Sequence, residues 1–218
     1  MNHPKNPRSP RRPLSMEAGD LVLVDSPIWR IHSVRTSRRN HPTRWDQFRE
    51  YGPLTSMRWD PHPGPRDTFP DHGVYYGAGD PDTAFAEVFQ GLRTIVLSGD
   101  RLMTAWTPSR PLRLLNLMPE SDWAIRQGVS ATLPQATKAI CRSWSRSIHD
   151  QLAVGNSPQV EGILTPSTVT GQPMTVLFAP ASSAFPVAPE FSRPLTYPVV
   201  TVLARRAAHR FHWPYMAQ

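Results

Sequence analysis

Prolines occupy 25 of the 218 positions. Each one fixes φ and removes a backbone donor, so long regular elements are interrupted wherever prolines cluster. The chain is therefore expected to fold through short strands and turns, not as a helical bundle. Hydrophobic residues make up 39% of it and seven are tryptophan, which argues for a packed core and against disorder. The length suits one sizeable domain and is long for two. No internal repeat and no second-domain boundary interrupts it. Residues 1–17, MNHPKNPRSPRRPLSME, are basic, proline-rich and without periodicity. They are expected to form a mobile arm ahead of a domain spanning residues 18–218.

Net charge is +7 and the isoelectric point about 10.3, which invites a nucleic-acid partner. The distribution argues otherwise. Basic residues cluster at Lys5, Arg8, Arg11 and Arg12, at Arg35, Arg38 and Arg39, and at Arg205, Arg206 and Arg210. No basic stripe alternates with aromatics along one element, as single-strand binding requires. A basic surface that attracts anionic small molecules or an acidic partner fits equally well. The one cysteine, Cys141, excludes an internal disulfide and a multi-cysteine metal site; it falls on a helical apolar pattern and reads as a core or boundary residue. The histidines show no metal-ligand spacing, so no metal is expected. No phosphate-binding glycine loop, dinucleotide fingerprint or nucleophile elbow is present. Without an 18-residue apolar run or a signal-peptide core, the chain reads as cytoplasmic.

In chain order, LVLVDSPIWRIHSV predicts two short strands, the second over Ile28–Val34. Residues 36–73 are polar and loop-like, with a short helix expected around Trp45–Tyr51; a loop this long suggests a flap over a ligand. Thr94–Ser98 reads as a buried strand, and two more flank the turn at Pro108–Pro111. A helix is expected over Gln135–Leu152, where Ala136, Ile140, Trp144, Ile148 and Leu152 recur at i+4, ended by Gly155-Asn156. Two strands follow around Gly171. The tail from Phe185 is proline-broken, with one β-like run at Val199–Leu203.

The stretch Gly52–Phe89 carries the most pointed polar residues: Arg58 beside turns at Asp60-Pro61 and Pro63-Gly64, Tyr76 on an aromatic strand, and Glu87 on a helix. That helix starts with Asp80 or Asp82 as cap and Pro81 in its first turn. Ala84, Phe85, Val88 and Phe89 give its apolar stripe, and Glu87 falls well off the centre of that stripe. Periodicity alone makes Glu87 an ordinary solvated carboxylate. Arg30 alone is an ordinary strand arginine, and Ser167 a hydrogen-bonded turn residue.

The run Val74-Tyr75-Tyr76-Gly77-Ala78-Gly79-Asp80-Pro81-Asp82-Thr83-Ala84-Phe85-Ala86-Glu87, preceded by Met57-Arg58-Trp59-Asp60-Pro61, resembles the core signature of the RES domain family. Trp29-Arg30 matches the family's arginine after an aromatic in the first strand. Ser167 stands where its serine follows a Gly-Ile element. The chain departs from the family at Asp60, where asparagine is common, and at Thr165 and Thr168, where tyrosine and arginine are usual. The resemblance spans about residues 29–180. It implies an α+β fold: a single domain with a split mixed β-sheet, similar to ADP-ribosyltransferases and flanked by short helices. It further implies NAD⁺ degradation by hydrolysis or phosphorolysis, by the toxin of a toxin–antitoxin pair.

Carried over by residue, Arg30 and Arg58 bind the phosphates, Tyr76 and Trp59 line the pocket, Glu87 stabilises the developing cation and Ser167 orients the ribose or amide. NAD⁺ is then a substrate and not a cofactor, with inorganic phosphate as an optional co-substrate. A cognate antitoxin is the expected partner, nucleic acid is met only through it, and a homo-oligomer fits the family. Two alternatives stay open: ADP-ribosyl transfer to a macromolecule, and a non-catalytic basic binding module. The chemistry suits the residue types. Arginines hold a pyrophosphate bidentately, an aromatic stacks on a flat ring, and a carboxylate stabilises an oxocarbenium-like sugar. Nicotinamide leaves NAD⁺ as a neutral base, so the second carboxyl group of an ordinary glycosidase is not needed.

Overall fold

Alternating burial along short strands generates the architecture. In a computed structural model describing residues 6–7, 9–10, 12–35, 43–155 and 158–217, the first half of the chain forms β1 (Leu21–Val24), β2 (Ile28–Ser33), β3 (Tyr51–Gly52), β4 (Asp67–Thr68), β5 (Val74–Ala78) and α1 (Pro81–Phe89). Next come β6 (Ile95–Leu97), β7 (Arg101–Trp106), β8 (Leu112–Asn116), α2 (Trp123–Arg126) and α3 (Lys138–Ile148). The last elements are β9 (Gly162–Pro166), β10 (Pro173–Phe178), β11 (Phe191–Pro194), α4 (Pro198–Phe211) and β12 (Tyr215–Ala217). Eight strands make one sheet in the order β1-β8-β9-β10-β5-β2-β7-β11. It is mixed, with β8 and β9 parallel and the other pairs antiparallel. This is the α+β fold expected, with short helices against a mixed sheet.

The sheet divides in its middle. β2 pairs with β7 along all six residues, and β5 with β10 along all five. Between them, β2 and β5 share one residue pair, Trp29 with Ala78. Alternation along β5 sends Val74 and Tyr76 into a cluster under α3 and Ala78 into a second cluster under α1 and α4, while Tyr75 faces a third cluster on the opposite side. The first two clusters thus sit on one face, on either side of the split. The third is closed by Trp45, Phe48 and Phe185, which pack against Tyr75 and Trp106.

Three expectations are corrected. Residues 45–51 are not helical. Arg49 bridges to Val74 as a strand residue, Trp45 and Phe48 are drawn into the aromatic cluster, and Arg30 takes the carbonyls of Trp45 and Gln47 that a helix would use. The run Val199–Leu203 lies inside α4, where Val200, Ala204, Ala207 and Ala208 bury one face. The helix expected from Gln135 begins at Lys138, because Thr137 caps it by accepting from the Ile140 N–H; it ends in a π-helical turn over His149–Ala153. The two strands expected around Pro108–Pro111 form as β7 and β8, which lie apart in the sheet.

Of the expected arm, residues 1–5, 8 and 11 lie outside the described residues, as do Arg38, Arg39 and Asn156. Its described part makes bonds to the body: Trp144 Nε1 donates to the Pro7 carbonyl at 2.8 Å and Trp123 Nε1 to the Ser15 carbonyl at 2.9 Å. Arg206 and Arg210 are committed to the buried carboxylate of Asp82, so that basic cluster ties α4 to α1. Among the described residues no helix is long and apolar enough to cross a membrane.

Gly162 shows how tightly the central strands pack. A Cβ at this position would overlap the Val176 carbonyl and lie 2.9 Å from Leu177 Cα, both backbone atoms. Gly162→Ala is expected to destabilise the chain by about 1–3 kcal/mol or more, read as a lowered denaturant midpoint.

Candidate active site

A cavity of about 490 Å³ opens at the split. Its walls come from β2, β5, α1, the 49–59 loop, Lys138 at the start of α3, and residues 165–168. Glu87 is the one acidic residue among the described lining residues, which also include Arg30, Arg49, Arg58, Arg101 and Lys138. Such a wall suits an anionic ligand.

Glu87 is placed by its helix. Asp80 caps α1 by accepting from the Thr83 N–H at 2.9 Å, and Pro81 occupies the first turn. Ala84, Phe85 and Phe89 are buried against the sheet, leaving Glu87 on the flank that borders the cavity. Both of its carboxylate oxygens accept hydrogen bonds. Ser167 Oγ donates to Oε1 at 2.6 Å and Gln90 Nε2 to Oε2 at 3.0 Å.

Ser167 is held in turn. Its Oγ accepts the N–H groups of Val169 and Thr170, each at 3.1 Å, in a turn between β9 and β10 that Gly171 completes at φ +71°. Those bonds aim the remaining hydroxyl proton at Glu87. Ser167 is buried behind the wall, while Thr165, Pro166 and Thr168 line it.

The arginines arrive by different routes. Arg30 lies over the Tyr75 ring at 4.1 Å from its centroid and donates to the Gln47 carbonyl at 3.0 Å. Arg58 donates to the Ala136 carbonyl and reaches Cys141 Sγ at 3.5 Å, which fixes it beside the start of α3. Trp59 is 3% exposed, a core residue with one edge on the cavity. Tyr76 Oη is buried with no hydrogen-bond partner among the described residues; burial pushes its phenol upward against the pull of Arg49. His32 is neutral here, lowered to about 4 by burial and then by the Arg30 charge. Its Nε2 meets Thr104 Oγ1 at 3.2 Å. Cys141 is buried, with burial raising its thiol.

Of the six residues singled out in the sequence, five line this cavity and Ser167 sits just behind it, but Arg30 carries its guanidinium on the Tyr75 side of the split sheet, opposite Tyr76. A sequence model of the RES domain matches residues 27–199. The chain belongs to the RES domain family. Comparison with curated proteins and with solved structures gave no match.

One departure within this RES domain has a physical cause. Asp60, the aspartate of its Arg-Trp-Asp element, is fully buried and pairs with Arg49 Nη2 at 3.1 Å. It also accepts from the Leu54 N–H at 2.6 Å and bonds His62. Burial raises its carboxyl, but these partners outweigh burial and hold it below the usual range. Arg49, Arg101, Gln90 and Lys138 also line the cavity without having stood out in the sequence; each sits in an unpatterned polar stretch or at an element end.

Proposed function

We propose that the chain cleaves the nicotinamide–ribose bond of NAD⁺, as a glycohydrolase or phosphorylase, and acts as the toxin of a toxin–antitoxin pair. The observation that carries this reading is the meeting of Glu87 and Ser167 at 2.6 Å beside a cavity whose other charged wall residues are cations. The volume falls within the range of small-molecule sites, roughly 300–1,000 Å³. Arg30 and Arg58 hold the two phosphates, and Tyr76 Oη takes a ligand oxygen. Glu87 stabilises positive charge as the ribosyl–nicotinamide bond lengthens. A lone carboxylate suffices because nicotinamide departs neutral, and no acid must protonate it. Ser167 acts on Glu87, holding its carboxylate toward the reacting sugar, where sequence reasoning had it touch the ribose or amide. The family membership supports the toxin role, with an antitoxin as partner.

The test is the NAD⁺ concentration over time with purified chain, in buffer with and without inorganic phosphate. Loss only with phosphate identifies a phosphorylase, and loss in both a glycohydrolase. No loss in either overturns the reading. Ser167→Ala removes one hydrogen bond to the carboxylate and is expected to slow NAD⁺ loss by roughly 10- to 100-fold. An unchanged rate would show that the serine does not position Glu87.

A further inference from the structure

On the far side of α3 from its cavity end, three side chains converge that no linear spacing marks. His72 ends the short turn before β5, and His149 and Asp150 open the π-helical turn after α3. One nitrogen from each histidine and one carboxylate oxygen lie within 4.8 Å of one another, the one such cluster among the described residues. His149 is fully buried. Its Nε2 faces the Asp71 carbonyl at 3.1 Å, an acceptor only, so Nε2 carries the proton when the ring is neutral. Nδ1 then faces Asp150 Oδ1 at 3.0 Å lone pair to lone pair, a contact that a proton or a bound metal ion between them relieves.

We propose that His72 Nε2, His149 Nδ1 and Asp150 Oδ1 bind a divalent transition-metal ion of the zinc class. With zinc–ligand bonds near 2.1 Å, the 3.0 Å separation subtends about 90°. The 3.7 Å between His72 Nε2 and Asp150 Oδ1 subtends about 120°. The Asp71 carbonyl is the outer partner that fixes the tautomer of a metal-bound histidine. The two rings are tilted by 30° with centroids 4.4 Å apart, so binding the ion requires the 25% exposed His72 ring to turn until its lone pair points at the metal. Three protein ligands leave a fourth position for water. None of the three lines the cavity; the ion clamps the end of α3 to the turn that leads into β5 and Tyr76.

The test is thermal melting of the untagged chain, stripped with chelator, against zinc and against magnesium. Zinc at about a hundredfold excess over its Kd is expected to raise the melting temperature by roughly 5–10 °C, with one ion bound per chain and no response to magnesium. His72→Ala and Asp150→Asn alter exposed or partly exposed side chains, so each is expected to fold and to lose the zinc response. No zinc-dependent rise in the parent chain overturns the site, as a proton then bridges the pair. A rise kept in both variants also overturns it, placing the ion elsewhere.

Discussion

Glu87→Gln is expected to slow NAD⁺ loss by about a thousandfold or more while leaving the melting temperature within a degree or two of the parent. The amide keeps the size of the carboxylate and one acceptor for a neighbouring donor. Its carbonyl oxygen can keep accepting from Ser167, whose own acceptor sites are taken by the Val169 and Thr170 N–H groups, while Gln90 turns its amide to present oxygen to the new NH2, so the local network survives. What disappears is the negative charge facing the sugar. The cavity contains no other acid among its described lining residues, so no neighbour can substitute for it. A rate within tenfold of the parent, in a folded variant, would remove Glu87 from the mechanism.

Arg49→Met is expected to have the largest effect on stability. Asp60 has no exposure and Arg49 5%, so deleting the arginine leaves a buried carboxylate facing only His62 and the Leu54 N–H. Breaking a buried pair from one side costs about 3–5 kcal/mol, or roughly 10 °C in melting temperature for a chain of this size. The pH dependence follows from Asp60 being held below the usual carboxylate range. A depressed folded value contributes stability above the unfolded value, near 3.9, and that stability is lost as the pH falls through the folded value. The gap between parent and Arg49→Met should therefore narrow in acid, where protonated Asp60 no longer needs a cation. Adding Asp60→Asn to Arg49→Met should recover much of the loss at neutral pH. A double variant as unstable as Arg49→Met alone would show that the arginine stabilises by packing and not by charge.

Local chemistry made some elements legible in the sequence and concealed others. α1 was legible because its cap, its proline and its apolar stripe agree, and the structure selects Asp80 as the capping residue. The strands around Gly171 were legible because a left-handed glycine leaves little choice of turn. The 45–51 segment was not. Its apolar spacing suits a helix, but the bridge from Arg49 to Val74 and the hydrogen bonds from Arg30 come from strands distant in sequence. In α4, the β-branched run at 199–203 concealed a small-residue face at Val200, Ala204, Ala207 and Ala208. Within the site, Glu87 and Ser167 each looked ordinary alone, and only the family's spacing tied them together. Arg49 could have been suspected from Asp60, since an aspartate between tryptophan and proline in a buried turn needs a cation nearby.

The sheet is joined across its middle by one residue pair, Trp29 with Ala78. Mechanically, it is two panels of five and three strands hinged at a single stitch, and the cavity is the gap beside that stitch. The cavity is lined from both panels, by β2 on one side and β5 on the other, so a molecule seated there would touch both halves of the sheet.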